Sequence, residues 1–350
     1  MRPRIRSTRL DRPHSLPVAA IVGSASLVGR ELRDLLAEKR LPARVKLIGA
    51  GAEDAGLLTE QAGEAVIMTA LDEDNLGEAR LVFLAGSAES SRKTLEILTR
   101  MGSQAALIDL TSFHEDSPRS RLRAPMVEPP GFEAPPDAIH VIAHPAAIAL
   151  ALFLIRLERA HPVSRAVAHV FEPASERGQR GINELKEQTA SLLTFKRVPK
   201  RVFDDQLGFN MLARYGSEAP EALEGFESRI ERHLATLLAA RGGLVAPSLR
   251  LIQAPVFHGH SFSVWAEFDQ SPQAAALERA LASEEIDVRR AGHEAPTAVG
   301  MAGQGGIAAG AIQVDRNNPR AAWFWLAADN LRLAAANAVA VARALPAEAR

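Results

Sequence analysis

The first 145 residues alternate between short apolar runs and segments with helical apolar spacing, and that alternation admits few folds. Val18, Ala19, Ala20, Ile21 and Val22 form a run closed by Gly23, the pattern of a strand buried on both faces. A helix is predicted next, with Val28, Leu32, Leu35 and Leu36 at i, i+4, i+7 and i+8, and Pro42 beyond its end. Residues 45–48 predict a second strand, closed by Gly49 and Gly51, and residues 65–68 a third. Leu81, Val82, Phe83 and Leu84 predict a strand ended by Gly86. A helix through Leu95, Leu98 and Met101 follows, then a strand over 105–110. Strands alternating with helices imply right-handed crossovers and a parallel sheet. Residues 17–145 are therefore expected to form a doubly wound, Rossmann-type α/β domain.

The pattern then changes. Residues 125–136 are a proline-rich connector, and 139–143 a strand that runs into His144 and Pro145. A long apolar helix is predicted over 146–160, and longer strands over 165–171 and 250–257. Residues 260–268 alternate, with Phe262, Val264, Ala266 and Phe268 on one face. Helices near 180–194 and 226–240 would cover these strands. Residues 146–328 thus read as an α+β domain with a mixed or antiparallel sheet, followed by an alanine-rich helix over 329–345.

A length of 350 residues fits two domains of about 100–200 residues each. With 41 basic against 42 acidic side chains there is no overall pull toward nucleic acid. No apolar run approaches the ~20 residues that span a bilayer, and no secretory signal pattern is present. A cytoplasmic protein with neither a nucleic-acid nor a membrane partner is expected. Residues 1–16 hold five arginines and two prolines with little to bury, and predict a disordered tail; an organelle transit peptide would share that composition. The chain has no cysteine. That excludes disulfides, thiolate metal sites and covalent catalysis by sulfur.

The first strand-to-helix turn reads Gly23-Ser24-Ala25-Ser26-Leu27-Val28-Gly29. Gly23 permits a tight turn, Gly29 permits close helix–strand packing, and the amides of the helix N-terminus can face a pyrophosphate. The middle glycine of a dinucleotide fingerprint falls at Ser26, where a Cβ crowds the phosphates. A dinucleotide site and a purely structural turn both fit. Glu53 follows the second strand, where an acid would bond a ribose 2′-hydroxyl and repel a 2′-phosphate; a bound cofactor would then be NAD rather than NADP. His258-Gly259-His260-Ser261 lies between two strands. No carboxylate stands at ligand spacing beside it, so no metal site is expected there, and His260 is a candidate general base.

Five ordered blocks resemble the aspartate-semialdehyde dehydrogenase family. IVGSASLVGREL resembles its G-A-T-G-x-V-G turn, IAHPAAIAL the block that holds N-P-N-C, and GINELKEQT its E-L-x-x-Q-T helix. IQAPVFHGHSFSV resembles R-x-P-V-x-R-G-H-S-x-x-V, and WLAADNLR resembles W-x-x-S-D-N-L-R. The resemblance spans residues 17 to about 345. It implies a homodimer with an N-terminal NAD(P)-binding Rossmann domain and a dimerisation domain, the last helix (329–350) returning to the Rossmann half. It also implies reduction of aspartyl phosphate with NADPH, through a cysteine thiolate and a histidine acid–base.

Carried over residue by residue, the resemblance puts the nucleophile position at Ala147 and the preceding asparagine at His144. The glutamine that holds the reacting centre falls at Glu172, the substrate-carboxylate arginine at Gln253, and a phosphate-binding arginine near His114. Glu53 replaces the 2′-phosphate arginine. His260 matches the catalytic histidine, Glu227 and Arg229 resemble the E-x-K substrate pair, and Gly23, Gly29, Asp329 and Asn330 match cofactor-side positions. The losses fall on the chemistry. Oxidation through a thioester needs a soft nucleophile that later leaves, and Gln253 cannot make the bidentate contact of an arginine. The pattern resembles the Usg-like branch of the family. Three readings follow: a dimer without the standard activity that still binds NAD or NADP; an NAD-dependent oxidoreductase using His260 without a covalent step; and an assembly or regulatory dimer with no cofactor. The small-molecule ligand is not legible.

Overall fold

A computed structural model describes residues 16–61 and 63–346. The disordered-tail expectation falls almost wholly on residues 1–15, outside the described residues.

The N-terminal half runs β1 (Val18–Val22), α1 (Leu27–Lys39), β2 (Arg44–Ile48), β3 (Leu58–Gln61), β4 (Glu64–Ile67), α2 (Glu73–Leu76), β5 (Ala79–Leu84), α3 (Ala88–Arg100), β6 (Ala106–Asp109), β7 (Ser120–Arg123) and β8 (Ile139–Ile142). Six strands form one sheet in the order β2-β1-β5-β6-β8-β7, all parallel. Every residue of β1 is buried, as a strand covered by helices on both faces requires. The chain moves outward from β1 to β2, then crosses to the other side of β1 to lay down β5. The strand order reverses there, the place where open α/β sheets take ligands.

Two expectations change in this half, and one strand was not foreseen. Residues 64–67 do form a strand, but it pairs antiparallel with β3 in a separate hairpin and adds nothing to the main sheet. Its residues are mostly exposed, so they cannot sit inside a sheet covered on both faces. Arg33 of α1 pins the hairpin through Thr59 Oγ1 and the Glu60 carbonyl. Met101 caps α3 at 37% exposure rather than joining the core. The polar edge strand β7 carries no apolar run and gave no sequence signal.

The second half runs α4 (Pro145–Glu158), β9 (Val163–Glu172), α5 (Gly178–Leu193), α6 (Leu223–Ala239), β10 (Ser248–Gln253), β11 (His260–Phe268), α7 (Ala274–Leu281), β12 (Ile286–Arg289), β13 (Ile307–Val314), β14 (Ala321–Ala328) and α8 (Asn330–Ala344). Its mixed sheet has the order β10-β9-β11-β14-β13-β12. β10 stops at Gln253, short of the predicted 257, because Pro255 has no N–H to continue a ladder. The carbonyls of Val256 and Phe257 accept instead from Ala174 and Ser175.

Helix α4 is apolar on every side and is buried almost throughout, as such a helix must be. Phe153 on it meets Phe324 of β14 edge-to-face at 4.9 Å. Helix α8 returns to pack on α1, where Arg332 pairs with Glu31 and Glu38.

Candidate active site

Both sheets aim strand ends at one cleft of about 880 Å³. From the parallel sheet come the turn after β1 (Ser26, Leu27, Val28), the loop after β5 (Ala85 to Ala88) and the loop after β6 (Thr111, Phe113, Glu115). From the second domain come Glu176, Arg177, Tyr215 and Arg229.

At the β1 turn, Gly23 has φ +83° and its Cα lies against Gly86; a Cβ there would stand 2.2 Å from the Gly86 Cα. A Cβ at Gly29 would stand 2.2 Å from the Gly23 carbonyl. Both glycines are thus required by close approach. Ser26 caps α1, its Oγ accepting from the Gly29 amide at 2.9 Å and donating to the Ala85 carbonyl at 2.6 Å. The amides of Leu27 and Val28 have no intrahelical acceptor, and both residues line the cleft. That terminus fits an anion such as a pyrophosphate. Ser24 turns inward, with Oγ on the Ile48 carbonyl, and Ala25 packs partly buried against the core. Glu53 is exposed after β2; its neighbour Asp54 takes the Ala50 and Gly51 amides of that turn.

The second sheet explains the rest. Parallel pairing of β10 with β9 sets Gln253 opposite Glu172, and antiparallel pairing of β11 with β14 sets His260 opposite Ala328. Glu172, Gln253, His260 and Asp329 therefore meet at one end of the sheet, facing His144 at the end of β8. Glu172 is fully buried and donates nothing to the cleft lining; its Oε1 accepts from Arg177 Nη2 at 2.6 Å. Arg177 also donates to Tyr215 Oη at 3.0 Å, and its guanidinium stacks on Phe226. Tyr215 donates to Gln253 Oε1 at 2.5 Å, and Gln253 Nε2 donates to the Glu172 carbonyl. Gln253 is thus fully engaged within the protein, and a guanidinium comes close from Arg177 on a different segment.

Of Glu172 and Glu176, it is Glu176 that reaches the cleft. His144 Nε2 lies 3.4 Å from its Oε2 and His260 Nε2 3.9 Å from its Oε1. Asn330 Nδ2 donates to Glu176 Oε1 at 2.8 Å, while Asn330 Oδ1 accepts from the Gly259 amide. His260 is wholly buried behind Glu176. Burial pushes its pKa down to about 4; the Glu176 charge opposes this, and His144 and Arg177 add to it. Burial would raise Glu176, but His144, His260 and Arg177 around it hold it well below the usual carboxylate range. Glu172 is pushed up, by burial first and by the Glu176 charge, against the pull of Arg177.

Of the remaining candidates, Ala147 is fully buried in the first turn of α4. Asp329 caps α8 through Oδ1 and takes the Gly303 amide on Oδ2. Glu227 accepts from the Leu251 amide and ties α6 to β10, away from the cleft. Arg229 lines the cleft and binds both Glu115 oxygens, at 3.0 and 3.1 Å. Glu115 also meets His233, whose Nδ1 accepts from the His144 amide. Sequence reasoning missed Glu176, Arg177, Tyr215 and Glu115. The first two follow Glu172 by a few residues, so a run of charge just past a buried strand was the available signal.

Residues 18–142 match the family described as Semialdehyde dehydrogenase, NAD binding domain, and residues 155–333 match Semialdehyde dehydrogenase, dimerisation domain. A USG-1 protein homolog of Pseudomonas aeruginosa is 31% identical over 340 residues, covering 91% of this chain and 95% of the relative. An aspartate-semialdehyde dehydrogenase of Rickettsia bellii is 27% identical, covering 93% and 96%. Among solved structures, a probable aspartate-semialdehyde dehydrogenase from Pseudomonas aeruginosa superposes with a TM-score of 0.82 at 29% identity, covering 94% of this chain and 98% of that one. An enzyme from Candida albicans solved with NADP shares the fold at a TM-score of 0.67 and 15% identity, covering 95% and 99%. Both halves of the chain therefore carry the same assignment, and the protein belongs to the semialdehyde dehydrogenase family.

Proposed function

We propose that this chain is a dinucleotide-binding homodimer of the family that does not carry out phosphorylating semialdehyde oxidation. One observation carries the reading: no cysteine exists in the chain, and the position that resembles the family nucleophile is a fully buried alanine, Ala147. Losing a covalent nucleophile costs on the order of 10⁶ in turnover in a well-studied protease. Gln253 adds to this, since its amide is spent on Tyr215 and the Glu172 carbonyl.

Dinucleotide binding is supported by the Gly23–Gly86 approach and by the α1 terminus that opens on the cleft. Glu53 after β2 favours NAD, because a carboxylate repels a 2′-phosphate. The decisive assay incubates pure protein with aspartate semialdehyde, phosphate and either NAD or NADP and follows the reduced cofactor. No turnover is expected; enzyme-like rates overturn the reading. Calorimetry with NADH and NADPH should show binding, tighter for NADH, and no binding of either leaves only an assembly role. A second reading, hydride transfer without a covalent step, is favoured by His260 standing directly behind Glu176, which lines the cleft. Oxidation of a hydroxy acid with NAD, lost in His260→Gln, would select it.

A further inference from the structure

We infer that His144, Glu172 and Glu176, with His260 beside them, form a binding site for one divalent cation of the zinc class. One ring nitrogen of His144 and one oxygen from each carboxylate lie within 4.8 Å of one another. His144 Nε2 stands 3.4 Å from Glu176 Oε2, and His260 Nε2 3.9 Å from Glu176 Oε1. Ligands held about 2.0–2.2 Å from a tetrahedral zinc ion are spaced about 3.3–3.5 Å apart. One edge of such a site is therefore already at coordination spacing, and the other donors of His144, Glu172 and Glu176 lie within 4.8 Å.

A second observation is independent of that spacing. His144 Nε2, Glu172 Oε2 and both ring nitrogens of His260 are buried without a hydrogen-bond partner among the described residues. Buried polar atoms are rarely left so, and each unpaired one is costly. His144 Nε2, Glu172 Oε2 and His260 Nε2 stand near one carboxylate, Glu176, which points to a shared partner; His260 Nδ1, on the other edge of its ring, is not part of it. Two imidazoles with two carboxylates suit zinc better than magnesium or calcium, which prefer oxygen alone.

The surroundings have the character of an outer shell. Asn330 holds Glu176 Oε1, and Arg177 holds Glu172 Oε1, leaving the other oxygen of each carboxylate for a metal. Arg177 offsets one of the two carboxylate charges, so a dication meets a net negative site. Glu176 lines the cleft and supplies the way in. His144 sets a limit on affinity. Its Nδ1 accepts the Ala146 amide at 3.2 Å, and metal on Nε2 would move the ring proton to Nδ1 and displace that bond. The site should bind more weakly than dedicated structural zinc centres. It depends on neither the proposed loss of thioester chemistry nor dinucleotide binding.

The full chain, stripped with a chelator, would be titrated with Zn²⁺ against a chromophoric chelator, and separately with Co²⁺ by visible absorption. The expected results are one Zn²⁺ per chain, Co²⁺ bands of a four- or five-coordinate nitrogen–oxygen site, and no competition from Mg²⁺. Glu176→Gln and His144→Gln should each weaken Zn²⁺ by at least about 10–100-fold, the loss that outer partners of metal sites incur. Glu64→Gln, exposed on β4, should bind unchanged. Absence of stoichiometric Zn²⁺, equal binding by Glu176→Gln, or displacement by Mg²⁺ would overturn the site. Should the variants lose their fold by circular dichroism, the Co²⁺ spectrum of the unaltered chain decides alone, and its failure to develop overturns the inference.

Discussion

At the scale of single residues, the base of the cleft holds more charge than a buried volume normally tolerates. Arg177 and Glu172, with side chains 4% and 0% exposed, form the central pair. Removing one partner of such a pair leaves an uncompensated charge and costs about 3–5 kcal/mol. Arg177→Ala should lower stability by that amount in urea unfolding, whereas Arg177→Met combined with Glu172→Gln should recover most of it. The nucleophile position makes the complementary case. On the proposed reading, Ala147→Cys supplies a thiol while Gln253 still offers no guanidinium, so semialdehyde turnover should stay at background. Measurable rates in that single variant would show that Gln253 does not limit the reaction.

At the scale of elements, two contacts are tight enough to test. The β1–α1 and β5–α3 turns touch through glycine, and Gly23 also holds φ +83°. Gly23→Ala should cost at least ~2 kcal/mol through overpacking and backbone strain, and should reduce NADH affinity in parallel. Calorimetry and thermal unfolding read the two effects. In β8, His140 accepts from Arg123 Nη1 at 2.8 Å, which fixes a neutral ring. Burial, then the Arg123 charge, push its pKa down to about 4. The unfolded chain takes up that proton near pH 6.5, so between these values the unfolded state binds more protons. Stability must then fall as pH drops from about 6.5 toward 4, by up to about 3 kcal/mol. His140→Gln keeps an acceptor for Arg123 without titrating, and should make this part of the profile shallower, the buried His260 and His233 keeping their own share of the slope. Urea unfolding at pH 7 and pH 5 compares the two proteins.

At the scale of the whole molecule, one sheet face stands out. The chain has three tryptophans, and all sit on the outward side of β11 and β14. Trp265 pairs with Trp323 across the strands, Trp325 lies opposite Ser263, and Phe171 of β9 stacks at 5.7 Å from Trp325. Trp323 is 40% exposed. Such a face on a domain that matches a dimerisation family is the expected seam of the proposed homodimer. Trp323→Asp should shift sedimentation toward monomer and redden tryptophan emission; an unchanged dimer would place the seam elsewhere.

The amino-acid order by itself determined the scaffold. Apolar runs closed by glycine specified the parallel sheet, because a strand covered on both faces has no polar positions to spare. The alternation over Phe262, Val264, Ala266 and Phe268 specified β11, and an all-apolar α4 could only be interior. The missing cysteine and Ala147 were equally legible, since a side chain that is absent needs no coordinates. What those residues surround was decided by tertiary structure alone. His144, Glu172 with Glu176, and His260 come from three separate stretches of backbone, and local periodicity carries no information about which strand ends converge. The β9–β10 and β11–β14 registers set Glu172 beside Gln253 and bring His260 to the same end of the sheet. Glu176 read as one more charge in a loop. Only the burial around it, with two histidines and an arginine folded onto it, made it the centre of the site.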